Sequence, residues 1–362
     1  MIAPKELKER IIREATSSRL GFILAGVTTP DPPPHLSAFE NWLSQERHAS
    51  MDYLADDRSR TRRADPRLIL PECKSILVLA LPYSAPSLIQ APLPKLGEGR
   101  EAWVRGNIAA YAWGTDYHIV IPEKLRALVK FIEQQVGHPV PNRGYTDTGP
   151  ILERDLAQRA GLGWVGKNTC LINPKLGSYF LLAEILLGIE LEPDPPFTTD
   201  QCGICRRCIE ACPTECILED RTLDAGRCIS YLTIELKEDI PVELRSSIGN
   251  WVFGCDVCQM VCPWNRFAAP DGDSSLKARE GVPHPQLIQE LGLTPEKFNE
   301  KFKDSPIQRA KRRGYLRNVA VALGNSARTE AIPALKKTLE DKEPMVQKHA
   351  AWALQQIEKK SK

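Results

Sequence analysis

The sequence of 362 residues lacks an apolar run long enough to cross a lipid bilayer. Its most apolar stretch, residues 179–191, is too short to span one and is interrupted by Glu184. The N-terminal segment also lacks both the apolar core of an export signal and a twin-arginine pair. These absences predict a soluble, cytoplasmic protein that has no membrane partner.

The chain also has little net charge, because 48 Lys and Arg residues nearly balance 46 Asp and Glu residues. The charge is nevertheless unevenly distributed: residues 301–362 carry a net charge of +9, and residues 1–300 carry −7. A basic segment of this kind is typical of a module that binds a polyanion, but a solvated helical surface has the same composition. Charge alone leaves both interpretations open.

Cysteine, in contrast, is abundant, with 11 residues, and in the cytoplasm metal ligation is favoured over disulfides. The first run has the spacing C-x2-C-x2-C-x3-C-P and comprises Cys202, Cys205, Cys208, Cys212 and Pro213. The second run has the spacing C-x2-C-x3-C-P, without a first member, and comprises Cys255, Cys258, Cys262 and Pro263. Cys228 lies between the runs and is available as the missing ligand.

These runs indicate two [4Fe–4S] clusters, because in two-cluster ferredoxins the last cysteine of each run ligates the other cluster. The crossed pairing assigns one cluster to Cys202, Cys205, Cys208 and Cys262. It assigns the second cluster to Cys212, Cys228, Cys255 and Cys258. Two structural zinc sites are the alternative, but C-x2-C-x2-C followed by C-P is far more typical of iron–sulfur proteins.

Three cysteines lie outside these two sets. Cys216 follows the first run and is predicted to pack near a cluster without ligating it; the alternative is that it replaces Cys228 as a ligand. Cys73 and Cys170 adjoin apolar segments and are predicted to be buried thiols.

Residues 1–190 combine predicted helices with predicted strands. Helical spacing of apolar residues, or Pro and Gly at the two ends, predicts helices within residues 1–20, 121–137 and 151–160. Apolar runs predict strands at residues 21–27 and 75–83, and one or two strands at 179–191. The segment is therefore predicted to be an α/β domain.

The end of the chain is predicted to be helical and repetitive. Residues 317–323 align with residues 348–354 at a period of 31 residues, and helix pairs at that period resemble HEAT-type repeats. The whole chain is predicted to be an α+β multidomain protein. The predicted domains are an α/β domain at 1–195, a ferredoxin-like module with two [4Fe–4S] clusters at 196–267, and an all-α, HEAT-like domain at 268–362.

Residues 161–168, GLGWVGKN, nearly match two nucleotide-binding motifs. A dinucleotide fingerprint follows a strand and opens a helix, whereas Gly161 follows a predicted helix. A phosphate loop requires a hydroxyl after its lysine, and position 168 is Asn. Nucleotide binding is therefore not expected, and the glycines indicate that the backbone approaches a neighbour closely.

Several stretches together resemble one protein family: AAYAWGTDYH (109–118), residues 146–172 with the signatures D-x-x-P-x-x-E-R and K-N-T, the cysteine runs with CISYLTIELK (228–237) between them, and SPIQRAKRRGYLRNVAVALGN (305–325). The family is that of the epoxyqueuosine reductases, which complete the synthesis of the tRNA nucleoside queuosine. The resemblance covers nearly the whole chain. It implies a cobalamin-dependent, tRNA-modifying oxidoreductase whose N-terminal domain is related to the corrinoid-binding domain of reductive dehalogenases.

The resemblance also implies roles for individual residues. Electrons pass through the clusters to cobalt, and the epoxide oxygen leaves as water, with Asp147 as the proton donor. The implied cobalamin contacts are Arg63, Ala110, Asp147, Leu152, Ser230, Cys255 and Asp256. The implied tRNA contacts are Glu235, Leu236, Lys311, Arg312, Arg313 and Arg317. A low-potential electron donor is the remaining implied partner, and the chain is expected to be a monomer.

The chemistry suits an acid at position 147. Opening a C–O bond places negative charge on oxygen, and a positioned acid accelerates such a step by roughly 10²–10⁴-fold. At an ordinary pKa of about 3.9 an aspartate is a poor donor at neutral pH, so a partly buried site is expected to raise the pKa of Asp147. The alternative is that Asp147 caps the helix that follows it.

Two other functions are alternatives at this point. A corrinoid-dependent reductive dehalogenase would share the corrinoid domain and the two clusters, but such enzymes are usually exported and use a tyrosine as the proton donor. A non-catalytic, ferredoxin-type electron carrier would leave Asp147 without chemistry. Both alternatives leave the basic C-terminal segment without a role.

Overall fold

The computed structural model describes residues 2–85 and 104–360, with helices and strands numbered here in chain order. The first half contains helices α1 (Pro4–Ala15), α2 (Leu36–Ser44), α3 (Asp57–Ala64), α4 (Tyr117–Val136) and α5 (Glu153–Arg159). It also contains strands β1 (Leu24–Thr28), β2 (Ser75–Pro82), β3 (Asn107–Ile108), β4 (Asn142–Tyr145), β5 (Trp164–Val165), β6 (Leu171–Ile172) and β7 (Phe180–Leu187).

The second half is mainly helical. Its helices are α6 (Arg207–Glu210), α7 (Ile229–Ile234), α8 (Val242–Arg245), α9 (Val257–Met260), α10 (Leu287–Glu290), α11 (Pro295–Lys301), α12 (Lys311–Ser326), α13 (Ile332–Thr338) and α14 (Pro344–Lys360), and its strand is β8 (Trp251–Phe253). No helix of the described residues is long and apolar enough to cross a membrane.

A four-stranded sheet with the order β1-β2-β7-β4 organises the first half. Strands β2 and β7 are central and apolar because both faces of the sheet are covered, one by α1 and α4 and the other by α5. All pairings in this sheet are antiparallel. The prediction of an α/β domain is therefore corrected to an α+β arrangement, and residues 179–191 form a single strand.

The predicted helices are present with shifted ends. Helix α4 begins at Tyr117, earlier than predicted, because the Asp116 side chain caps it by accepting a hydrogen bond from the His118 N–H. Helix α5 begins at Glu153, three residues after Pro150. Gly161 lies just beyond α5 with a φ of 77°, the left-handed conformation expected of a C-terminal glycine.

The two segments that align at a period of 31 residues lie on α12 and α14, which pack side by side. A Cβ atom at Gly324 would lie 2.7 Å from the Trp352 ring and 2.8 Å from the Ala353 backbone, so glycine permits this close approach. Helix α12 is buried all round from Gly314 to Gly324 because α7 and β8 pack on the side opposite α14. The C-terminal helices also share one apolar core with residues 225–257, while the predicted domain boundaries stay a prediction.

Candidate active site and cluster sites

Asp147 lies in the loop that joins β4 to α5 and has a left-handed backbone, with a φ of 60°. The Tyr117 hydroxyl donates a hydrogen bond of 2.9 Å to Asp147 Oδ2. His118 Nε2 lies 3.5 Å from the same oxygen, and the Asp147 side chain is 57% exposed. The loop and the start of α4 therefore present one carboxylate at the surface, with two potential proton donors beside it.

Asp147 does not cap the helix that follows. The residue at the cap of α5 is Leu152, and no side chain caps this helix. The Asp147 N–H instead donates to Glu153 Oε1 at 2.5 Å. The helix-cap alternative is therefore wrong.

The protonation of this site is opposite to the expectation. Burial would raise the pKa of Asp147, but the neighbouring His118 side chain and the hydrogen bond from Tyr117 outweigh it, and the pKa lies below its ordinary value. Burial would lower the pKa of His118, but its contacts with Asp116 and Asp147 raise that pKa to about 9. At neutral pH the proton of this pair therefore resides on His118, and the prediction of a raised pKa for Asp147 is wrong.

Three further residues lie at the opening around Asp147. Arg309 and Glu235 form an ion pair in which Arg309 Nη2 lies 3.1 Å from Glu235 Oε2. Tyr53 is 50% exposed, and its pKa is raised by burial and by the charges of Glu235 and Asp147. The rim thus combines an exposed aromatic ring with an ion pair, a combination that suits contact with a nucleotide.

Two of the predicted cobalamin contacts meet directly. The Ala110 N–H donates to Asp256 Oδ2 at 2.7 Å, and both residues are buried. Tyr111 follows Ala110, and its ring centroid lies 6.1 Å from that of Tyr117. This ring contact joins the Ala110–Asp256 pair to the Asp147 site.

Arg63 is another predicted cobalamin contact and lies on α3. It is buried, and its Nη1 atom has no hydrogen-bond partner among the described residues. Its guanidinium lies over the Phe39 ring at 5.5 Å from the centroid. A buried, unpartnered guanidinium nitrogen fits a polar group of a bound cofactor.

The structure brings together four thiols from the two cysteine runs. A cavity of about 220 Å³ is lined by Cys202, Cys205, Cys208 and Cys262, together with Lys167 and Asn168. The Trp164 indole N–H donates to Cys202 Sγ at 3.4 Å. The cavity therefore contains the four thiols that the crossed pairing assigns to one cluster.

The GLGWVGKN stretch packs against the same cysteine loop. A Cβ atom at Gly163 would lie 2.1 Å from the Ile172 carbonyl oxygen, so the close approach is to the neighbouring strand β6. Lys167 Nζ donates to the carbonyl oxygens of Gly203 at 2.7 Å and Cys205 at 2.9 Å. The lysine thus stabilises the first cysteine loop.

The cysteines assigned to the second cluster also lie near one another. The thiols of Cys212, Cys228, Cys255 and Cys258 lie within electrostatic range of one another. Cys216 is buried, as expected, and its Sγ lies 3.4 Å from Cys212 Sγ. Cys73 is the buried thiol that was expected, whereas Cys170 is only partly buried and lies beside Cys258; the prediction for Cys170 is wrong in this respect.

Family models match three parts of the chain. The model of epoxyqueuosine reductase QueG, DUF1730, matches residues 63–148. The model of a 4Fe-4S double cluster binding domain matches residues 201–265, and the model of HEAT repeats matches residues 309–362. The epoxyqueuosine reductase of Cyclobacterium marinum is 41% identical to the chain over 318 residues, which cover 86% of this chain and 96% of that protein. The chain belongs to the epoxyqueuosine reductase family.

Solved structures of epoxyqueuosine reductases share its fold. One, in complex with an epoxyqueuosine-modified stem loop of tRNA-Tyr, has a TM-score of 0.85 and 34% identity, over 97% of this chain and 90% of that one. Another, from Bacillus subtilis, has the loop of its catalytic aspartate swung out of the active site; its TM-score is 0.83 at 33% identity, with the same coverage.

These comparisons confirm several predictions at the level of the module. The iron–sulfur module and the HEAT-like helices are confirmed, and the iron–sulfur match argues against two structural zinc sites. Membership of an oxidoreductase family favours the reductase over both the dehalogenase and the electron carrier. The individual ligands and cofactor contacts stay predictions.

The basic segment of the chain is only partly available to a partner. Lys311 and Arg313 are exposed. Arg312 is mostly covered and pairs with Asp341, with Arg312 Nη2 at 2.6 Å from Asp341 Oδ2. Leu236, another predicted tRNA contact, is half-buried beside Glu235.

Arg317 corrects the sequence prediction outright. It is fully buried, and its guanidinium donates to the carbonyl oxygens of Leu232 at 2.6 Å, Leu236 at 2.9 Å and Glu238 at 2.5 Å. Burial lowers the pKa of Arg317 to about 10, so it stays protonated at neutral pH. Arg317 is therefore a structural residue that satisfies the carbonyl groups at the end of α7, and it cannot contact tRNA.

Sequence reasoning missed five residues of the epoxyqueuosine reductase site. They are Tyr53, Tyr117, His118, Glu153 and Arg309. Tyr117 and His118 end the AAYAWGTDYH stretch, and Glu153 is the acid of the D-x-x-P-x-x-E-R signature. These motifs contained a usable signal, and Arg309 lies in the family stretch 305–325, whereas nothing in the local sequence distinguishes Tyr53.

Proposed function

We propose that the chain carries out the reaction of its family, the reduction of epoxyqueuosine in tRNA to queuosine, with cobalamin, two [4Fe–4S] clusters and a proton delivered at Asp147. The reaction consumes two electrons and two protons and releases the epoxide oxygen as water. The observation that carries the proposal is the exposed Asp147 carboxylate beside Tyr117 and a protonated His118. This arrangement can protonate an oxygen that leaves a carbon atom.

The electron path of the proposal uses the two sets of thiols. One cluster is held by Cys202, Cys205, Cys208 and Cys262, which line one cavity. The other is held by Cys212, Cys228, Cys255 and Cys258. Clusters of this type reach the low potentials that reduction of cobalt requires.

Residues of α3 and the Ala110–Asp256 pair would hold the cobalamin of the proposal. Arg63 offers a buried guanidinium nitrogen to a polar group on the corrin periphery, and Ala110, Leu152, Ser230, Cys255 and Asp256 complete the proposed contacts. Cobalamin supplies a reduced cobalt that donates electrons to the substrate. The residues of this chain position the cofactor and exclude water around it.

The proton in the proposal moves through His118 and Asp147. His118 Nε2 holds the proton at neutral pH and lies 3.5 Å from Asp147 Oδ2, a few tenths of an ångström beyond hydrogen-bond reach. A substrate that displaces water from the exposed carboxylate raises the proton affinity of Asp147. The proton then passes from His118 to Asp147 and on to the epoxide oxygen. The swung-out aspartate loop of the Bacillus subtilis relative supports a loop that can deliver its carboxylate.

The tRNA of the proposal lies across the rim of the site. Tyr53, Glu235, Leu236 and Arg309 surround the opening, and the exposed charges of Lys311 and Arg313 contact phosphates. The complex of a relative with a modified tRNA stem loop supports this partner. A cytoplasmic location, a monomeric state and the nature of the electron donor stay predictions.

Anaerobic turnover of tRNA that contains epoxyqueuosine tests the proposal. The reconstituted protein is compared with and without cobalamin, as wild type and as Asp147→Asn, with the exposed Asp271→Asn as the matched control. Turnover should require cobalamin and should fall by roughly 10²–10⁴-fold in Asp147→Asn, while the control matches the wild type. Conversion without cobalamin, or full turnover by Asp147→Asn, would overturn it.

A further inference from the structure

Two carboxyl groups lie behind the Asp147 loop, where the sequence analysis placed no functional residue. Glu153 is the first residue of α5, and Glu184 lies in the middle of β7, paired with Val78 of β2 and Tyr145 of β4. Glu184 is fully buried, and the neighbouring Glu153 carboxyl is the group that interacts with its carboxyl oxygens. A buried acid on a central strand is costly and therefore needs a reason.

Glu153 contacts the residue that the proposed function places at the reaction. Its Oε1 accepts the Asp147 N–H at 2.5 Å, and Asp147 has a φ of 60°. This left-handed conformation is uncommon for a residue with a side chain, although Asp adopts it more readily than most, and a hydrogen bond to the backbone stabilises it. The Glu153 carboxyl holds the backbone of Asp147 through this bond, because the bond satisfies the Asp147 N–H group in the turn.

The pKa of Glu153 lies close to neutral pH. Asp147 in the loop, Glu184 on β7, Arg154 on its own helix and Arg63 on α3 are the charged or titratable groups that face it. Burial and the charge of Asp147 raise the pKa of Glu153 to about 7. Burial and the charge of Glu153 raise the pKa of Glu184 well above its ordinary value, so Glu184 keeps its proton and Glu153 is the member of the pair that ionises.

We propose that Glu153 is a positioning residue whose ionised carboxylate holds the Asp147 backbone in the left-handed turn, so that the Asp147 side chain is aimed at Tyr117 and His118. The inference rests on the proposed role of Asp147. An ionised carboxylate is the stronger acceptor, so the loop is held more tightly above the pKa of Glu153 and less tightly when Glu153 is protonated below it. Glu184, a neutral acid at the back of the site, leaves Glu153 as the only carboxylate of the pair.

Hydrogen–deuterium exchange of the intact protein tests the inference without turnover. The protection factor of the peptide that contains residues 146–152 is measured between pH 6 and 8 for the wild type, Glu153→Ala and Glu153→Gln. Glu190→Gln, an exposed acid just beyond β7, is the matched control. The wild type and the control should lose protection as the pH falls through about 7. Glu153→Ala should be unprotected at every pH, and Glu153→Gln should be intermediate and independent of pH, because its amide oxygen still accepts the bond.

Turnover by the same proteins provides a second readout. Misplacement of the Asp147 carboxylate should lower kcat in Glu153→Ala by roughly 10–100-fold with little change in KM, and Glu153→Gln should restore part of it. If Glu153→Ala has the same exchange protection and the same kcat as the wild type, the inference about Glu153 is wrong, and Asp147 is still the proton donor. If Asp147→Asn keeps full turnover instead, the proposed function fails, and the exchange data still decide whether Glu153 holds the loop. Glu153→Gln keeps the test decisive if Glu153→Ala does not fold.

Discussion

The rim of the Asp147 site and helix α12 both carry charged residues that the sequence marked as functional, yet the fold uses them in opposite ways. The Asp147 side chain is 57% exposed, whereas Arg317 is fully buried against carbonyl groups of the segment 232–238. In the first region local hydrogen bonds hold a charge out toward solvent. In the second, helix α7 ends inside the protein, and its free carbonyl groups require a buried donor. A cluster of charged residues therefore predicts an exposed functional surface only under one condition. No buried backbone group may need one of these side chains as its hydrogen-bond partner.

The largest expected effect is a loss of stability when the buried Arg317 of this comparison is replaced. Replacing Arg317 by Met should lower the free energy of unfolding by about 3–5 kcal/mol, because three carbonyl groups, one buried and two partly buried, lose their donor. Arg313→Met, four residues earlier and exposed, is the control and should change stability by less than about 0.5 kcal/mol. Anaerobic urea denaturation measures both. If Arg317→Met is as stable as Arg313→Met but binds tRNA more weakly than the wild type does, the prediction that Arg317 contacts tRNA would hold after all.

A smaller effect concerns the proton held at the rim. The pKa of His118 is raised to about 9 in the folded protein, above the ordinary value of about 6.5. The His118 contribution to stability is therefore fully present below about pH 6.5 and is lost as the pH rises through about 9. Over that window the wild type should lose about 1–3 kcal/mol relative to His118→Gln.

The measurement for His118 is the unfolding midpoint in urea at several pH values under anaerobic conditions. The exposed His138→Gln is the matched control and should keep the wild-type pH dependence. If His118→Gln also retains that dependence, the proton does not reside on His118 and the charge arrangement at Asp147 is wrong.

The smallest effect concerns the exposed end of α12. Lys311→Ala and Arg313→Ala should each weaken tRNA binding by about 1 kcal/mol or less. Each should also reduce the slope of the log of the association constant against the log of the salt concentration, by about 0.7–0.9 for each phosphate that is no longer neutralised. Filter binding or fluorescence anisotropy over a range of salt concentrations measures this slope. Arg328→Ala, which replaces a partly buried basic residue beyond the end of α12, serves as a comparison. Equal slopes for Lys311→Ala, Arg313→Ala and the wild type would remove these residues from the tRNA surface.

Much of the fold was predictable because it depends on local patterns. The spacing of the cysteines, the apolar strands at β2 and β7 and the 31-residue period of α12 and α14 are all read within short windows of sequence. The site was predictable only in part. Asp147 was found through its motif, but its partner His118 lies 29 positions earlier in the chain and is brought to it by the packing of α4.

The sequence by itself determined which residue types are available: eleven thiols, eight of them assigned to clusters, an acid in a turn, and a basic, repetitive tail. Only the tertiary structure decided the antiparallel order of the sheet, the burial of Arg317, the charge on His118 and the acid pair behind Asp147. The physical reason is the range of the forces involved. Helix and turn preferences act over a few residues, whereas burial, strand pairing and the pKa of a carboxyl group depend on neighbours that the chain brings together from far apart.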